Sequence, residues 1–152
     1  MTKYLVFDCD GTLIDTSQSR YSLYPGIKDL LVHLSANHTL YVWTARDRSS
    51  TLRILQELGV IHFFEGFCTS DDAYPKPHVR GIGEMLGKIN KADVCVIGDT
   101  VNDILGAKNF GVKSIAAAWN KNVNLHLLND SGADFIAFGP SECLTWLSDH
   151  LI

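Results

Sequence analysis

Five short runs punctuate the chain: Tyr4–Phe7, Leu40–Trp43, Val94–Ile97, Ser114–Trp119 and Phe135–Phe138. They run apolar without alternating, as strands do when both faces of a parallel sheet are covered. Between them, apolar residues recur at helical spacing. Ile27, Leu30, Leu31 and Leu34 follow Pro25, which suits a first helical position. Leu52, Leu55 and Leu58 form a second stripe that stops at Gly59, a good C-cap residue. Val79, Ile82, Leu86 and Ile89 form a third, weakened by Gly81, Gly83 and Gly87. Val101, Ile104 and Leu105 begin a fourth that ends before Gly111. Leu144, Leu147 and Leu151 mark a terminal helix with Ser141 as its N-cap. Strand alternating with helix predicts an α/β fold, a single doubly wound, Rossmann-like parallel sheet with right-handed crossovers over residues 1–152. Ligands of such sheets collect at the carboxyl ends of strands near the topological switch point. Polar residues just after the apolar runs are therefore the candidate chemistry.

Asp8-Cys9-Asp10-Gly11-Thr12 follows the first run and Thr44-Ala45-Arg46 the second. Gly98-Asp99-Thr100-Val101-Asn102-Asp103 follows the third. A lone Asp at a strand end is ordinarily a helix cap or turn residue. Two acidic clusters after separate strands, with a hydroxyl after another, point instead to a site. Asp8, Asp10, Asp99 and Asp103 gathered at one edge would be costly without a compensating cation. Oxygen ligands without a His or Cys cluster favour a hard ion, most simply Mg²⁺. A metal-bound carboxylate beside one that can hold a proton suits nucleophile plus acid/base work.

Composition narrows the setting. The chain has 152 residues, 46% hydrophobic, which fits one domain with a sizeable core. A net charge of -4, with neither a basic groove nor an aromatic stripe, disfavours nucleic acid as partner. No apolar run approaches the ~20 residues that span a bilayer, so no membrane association is expected. The start reaches Asp8 too soon for a secretory signal, and a cytoplasmic location is expected. Cys9, Cys68, Cys95 and Cys143 are scattered, arguing against disulfides and structural zinc.

Asp8-x-Asp10-Gly11-Thr12, Thr44, Lys76-Pro77 and Gly98-Asp99-x-x-x-Asp103 resemble, in order, the four motifs of the haloacid dehalogenase superfamily of phosphohydrolases. Trp119-Asn120, Gly132-Ala133-Asp134 and Pro140-Ser141-Glu142 resemble the C-terminal part of its phosphoglycolate phosphatase branch. The resemblance implies that Asp8 attacks phosphorus to form an aspartyl-phosphate, with Asp10 as general acid/base. It implies that Thr44, Ala45 and Lys76 hold phosphoryl oxygens. Mg²⁺ would bind Asp8, Asp10 through its carbonyl, and Asp99, while Asp103 would support the metal or orient Lys76. Because Asp10 can protonate a departing alkoxide, a phosphatase is preferred over a dehalogenase. Arg46 and Asn102 are candidate substrate contacts; Arg46 is equally well read as a solvated helix-start residue. Arg20, Tyr21 and Tyr24 sit where a flap would be, with loop packing the favoured reading. Trp119-Asn120 could line the rim, although a core tryptophan fits as well. His78 could touch a leaving group but is more simply a helix-start residue, and Cys9 hints at oxidative inhibition only if its thiol is reactive. Residues 13–24 and 45–75 leave no room for a helical cap domain. The expected site is open unless a homo-oligomer partner covers it. The resemblance implies a phosphorylated substrate, either a small metabolite or a phosphoprotein. A phospho-receiver domain and a silent binding module are the alternatives.

Overall fold

The computed structural model describes residues 3–72 and 74–151. Six parallel strands form the main sheet: β1 (Lys3–Phe7), β4 (His38–Trp43), β5 (Phe64–Cys68), β6 (Val94–Gly98), β7 (Lys113–Ala117) and β8 (Phe135–Ala137). Two-residue strands β2 (Ile14–Asp15) and β3 (Ser22–Leu23) pair antiparallel in a separate hairpin. The helices are α1 (Ile27–Ser35), α2 (Arg48–Glu57), α3 (Arg80–Leu86), α4 (Val101–Phe110), α5 (Leu125–Asp130) and α6 (Pro140–His150).

The sheet order is β5-β4-β1-β6-β7-β8. The chain winds outward from β1 through β4 to β5, then returns to lay β6 against the other side of β1. The topological switch therefore lies between β1 and β6, where a crevice opens above their carboxyl ends.

Continuous apolar strands follow from cover on both faces. Leu5, Phe7, Leu40, Val42, Cys95 and Ile97 pack into the core shared with α1, α2 and α6. Alternate residues Val6, Trp43, Val94 and Val96 pack on the opposite face with Ile82 and Leu86 of α3 and Ala107 and Phe110 of α4.

Several boundaries differ from the sequence expectation. Pro25 precedes the α1 cap, which is Gly26. In α2, which Asp47 caps, the buried face is Thr51, Ile54 and Leu55 rather than the Leu52–Leu55–Leu58 stripe; Leu52 and Leu58 are only half-buried at its margins. α3 stops at Leu86 before Gly87, leaving Ile89 outside the helix. α6 is capped by Gly139, not Ser141; Pro140 takes the first turn, where its missing N–H costs nothing. Glu142 accepts from the Phe138 N–H and supports that end instead. α5 and the β2–β3 hairpin carry too few periodic residues to be read from pattern. Among the described residues, the β1–α1 segment holds only this hairpin, and the β5–α3 segment no helix. The expected absence of a cap domain holds there. No helix is long and apolar enough to cross a membrane among the described residues.

Candidate active site

The end of β1 delivers Asp8 beside the end of β6. The Asp8 N–H donates to the Ile97 carbonyl at 2.9 Å, carrying the ladder one residue past the strand. On the other side, the Thr44 N–H donates to the Cys68 carbonyl at 2.9 Å. Lys76 reaches in from the β5–α3 segment with its side chain only 7% exposed. Its ammonium donates to Asp8 at 2.9 Å, to the Trp43 carbonyl at 2.8 Å and to Asp103.

Asp103 joins this centre to α4. One oxygen accepts from Lys76, while the other accepts from the Thr100 N–H at 3.0 Å and the Thr100 hydroxyl at 2.9 Å. Thr100 and Asp103 together form the capping box of the helix. Gly98 makes room for it: a Cβ there would lie 2.3 Å from the Asp103 Cγ. Because Asp103 is held from two sides, it has nowhere to retreat. Gly98→Ala should therefore lower stability by about 1–3 kcal/mol. Thermal unfolding followed by circular dichroism would read this as a lower Tm; an unchanged Tm would show that Asp103 yields freely.

Asp8, Asp99 and Asp103 each offer an oxygen, and these oxygens all lie within 4.8 Å of one another. Three carboxylates thus crowd a largely buried place, and the Lys76 ammonium pairs with two of them, Asp8 and Asp103. The electrostatics register the imbalance. Burial pushes the Asp8 carboxyl up to about 7, Lys76 opposing and Asp99 adding to the rise. Burial also raises Asp99 and Asp103. The same burial works against a charged Lys76, but Asp8 and Asp103 outweigh it and hold the ammonium above its ordinary range. A hard divalent cation fits this donor set, being all oxygen and short of positive charge. Asp8, Asp99 and Asp103 are the residues that could hold one.

Asp10 stands apart from that cluster. Its carboxylate accepts a two-pronged contact from Arg46, at 3.0 Å from Nε and 2.8 Å from Nη2. The guanidinium also reaches the Ser50 hydroxyl at 3.3 Å and sits 5.4 Å from the centre of the Tyr21 ring. Arg46 is therefore tied to Asp10 rather than standing as a solvated helix-start residue, and most of its donors are used within the chain. Asp8, Asp10, Thr44, Ala45, Arg46, Lys76, Thr100 and Asn102 line one cavity of about 460 Å³. A larger cleft of about 810 Å³ includes Lys3, His33 and Leu147 in its lining and has no acidic lining residue among the described ones.

Other candidates are placed elsewhere. His78 lies before α3, its ring 5.1 Å from that of Tyr74. Arg20 is exposed and Tyr24 packs against the core. Cys9 is fully buried, and burial raises its thiol far above the usual range, so the environment of a reactive thiolate is missing. One participant was under-read in the sequence. Asn120, buried just beyond β7, donates to the Asp99 carboxylate at 2.9 Å and to the Gly11 carbonyl at 3.0 Å. The strand-end rule that singled out Asp8 and Asp99 applied equally to it, but an amide gives no charge signal. Its neighbour Trp119 packs against the core, with its indole N–H on the Thr12 carbonyl at 2.9 Å.

Residues 18–117 match the family model of haloacid dehalogenase-like hydrolases. A phosphoglycolate phosphatase of Agrobacterium fabrum is 39% identical over 103 residues, covering 63% of this chain and 43% of the relative. One from Vibrio parahaemolyticus is 30% identical over 127 residues, covering 80% and 55%. The chain thus spans about half the length of the curated relatives it matches. A haloacid dehalogenase-like hydrolase structure from Streptococcus pneumoniae superposes with a TM-score of 0.80 at 24% identity, covering 96% of this chain and 98% of that one.

Proposed function

Because this chain belongs to the haloacid dehalogenase-like hydrolase family, we propose that it is a magnesium-dependent phosphomonoesterase with Asp8 as nucleophile. The supporting observation is the buried group of Asp8, Asp99, Asp103 and Lys76 opening onto the cavity that Asp10 and Thr44 also line. In the proposal residues 1–152 act as one catalytic domain.

An Asp8 oxygen bonds to phosphorus as the ester P–O bond breaks, and the departing oxygen takes a proton from Asp10. Water then attacks phosphorus and gives a proton to Asp10. The P–O bond to Asp8 breaks, restoring the carboxylate and releasing phosphate. Thr44, Ala45 and Lys76 hold the phosphoryl oxygens, and Lys76 also orients Asp8. Arg46 fixes the direction of the Asp10 carboxylate, and Asn102 lies at the rim where the leaving group passes. Asp8, Asp99, the Asp10 backbone carbonyl and, in support, Asp103 would hold Mg²⁺. When bound, the cation neutralises the carboxylates against an incoming anionic phosphoryl group. The relatives reported above are phosphatases rather than receiver domains, and their substrate class favours a small phosphorylated metabolite here.

Turnover of p-nitrophenyl phosphate in Mg²⁺, lost on chelation and regained on adding the metal, is the direct test. Asp10→Asn sharpens it. Because p-nitrophenolate departs without a proton, the variant should release a burst equal to the protein present, then stall at dephosphorylation. Steady turnover at the wild-type rate would remove Asp10 from the mechanism.

A further inference from the structure

We infer that Asn120, assisted by Thr12, is a positioning residue for the cation site: it fixes the Asp99 carboxylate in its ligating orientation. The inference rests on the metal reading proposed above. The side-chain amide of Asn120 spreads its two N–H groups over two acceptors, Asp99 Oδ2 at 2.9 Å and the Gly11 carbonyl at 3.0 Å. The amide oxygen is in turn held by the Asn122 N–H at 2.8 Å. From the other side, the Thr12 hydroxyl donates to Asp99 Oδ1 at 3.1 Å. Each Asp99 oxygen thus accepts one protein hydrogen bond and keeps lone-pair capacity for a cation.

The surroundings are built for this contact. Asn120 is only 8% exposed, so its donors face the protein rather than water. Gly11, at φ 83°, leaves the space that Asp99 occupies: a Cβ there would fall 2.2 Å from Oδ2 and 3.1 Å from the Asn120 nitrogen. The Trp119 indole pins the Thr12 carbonyl, tying the β7 end to the loop after β1. Asn120 therefore connects Asp99, beyond β6, with the Asp8–Thr12 loop through one planar group. Without it, Asp99 could rotate away from Asp8, and neighbouring groups that orient ligands commonly govern metal affinity by about 10–100-fold.

Mn²⁺ binding, followed by the loss of the free-ion paramagnetic resonance signal, reads this without turnover. Asn120→Ala should weaken binding about tenfold or more, and Thr12→Val, which keeps volume but loses the donor, by a smaller factor. In turnover assays the Mg²⁺ concentration for half-maximal rate should rise in step, while the rate at saturating Mg²⁺ stays near wild type. A purely structural residue would lower the metal-free Tm without moving that concentration. Wild-type affinity in Asn120→Ala overturns the inference and leaves the phosphatase reading intact. If Asn120→Ala fails to fold, wild-type affinity in Thr12→Val overturns it equally. Failure of the unaltered protein to bind either metal overturns the metal reading itself.

Discussion

Asp8→Asn should abolish phosphatase turnover, with a loss on the order of 10⁴-fold or greater, because no neighbouring carboxylate can take over the attack. Asp10 is gripped by Arg46, Asp99 is held by Thr12 and Asn120, and Asp103 is shared between Lys76 and the start of α4. The substitution is nearly isosteric and keeps an oxygen for Lys76. It also removes one of three crowded carboxylates, so the metal-free protein should melt no lower than wild type. Loss of activity with an intact fold therefore reports chemistry rather than damage. Mass spectrometry of acid-quenched reactions gives the companion readout: a phosphoryl adduct on wild type and none on the variant. Turnover above about a hundredth of wild type in Asp8→Asn would exclude this residue as nucleophile.

Lys76→Met should damage both stability and activity, and the two should respond differently to metal. Methionine keeps much of the side-chain length but withdraws the ammonium that pairs with Asp8 and Asp103. Breaking such a buried pairing costs about 3–5 kcal/mol. In a chain of this size each kcal/mol lowers Tm by roughly 2–4 °C, so a fall of about 6–20 °C is expected in chelator. Added Mg²⁺ should narrow that gap, because a cation held among the carboxylates restores part of the missing charge. Turnover should remain about 10²–10³-fold down even in saturating metal, since the proposed donor to the phosphoryl oxygens is gone. An equal Tm deficit with and without Mg²⁺ would mean that no cation enters the cluster.

The main sheet was readable because its strands are covered on both faces, so Leu5–Phe7 and Val94–Ile97 appear as unbroken apolar runs. Once those runs are strands, the switch-point rule leads to Asp8 and Asp99 without further information. Helix ends were less legible, because turns of similar composition compete for the same cap. Gly139 with Pro140 begins α6 two residues before the end-signal read at Ser141. What the pattern could not reveal were partners distant in sequence. Arg46 looks like the first charge of a solvated Arg46-Asp47-Arg48 turn until the fold brings Asp10 within reach, 36 residues away. Asn120 is likewise unremarkable by type, and its meaning comes only from the carboxylate opposite.

Asp103 leaves little freedom at its own position. The same side chain opens α4 and anchors Lys76, so the helix start and the buried carboxylate cluster cannot drift independently. A lineage that abandoned the chemistry and replaced this aspartate would also fray the first turn of α4. Amide hydrogen exchange at Thr100–Asp103 would carry the record of that loss.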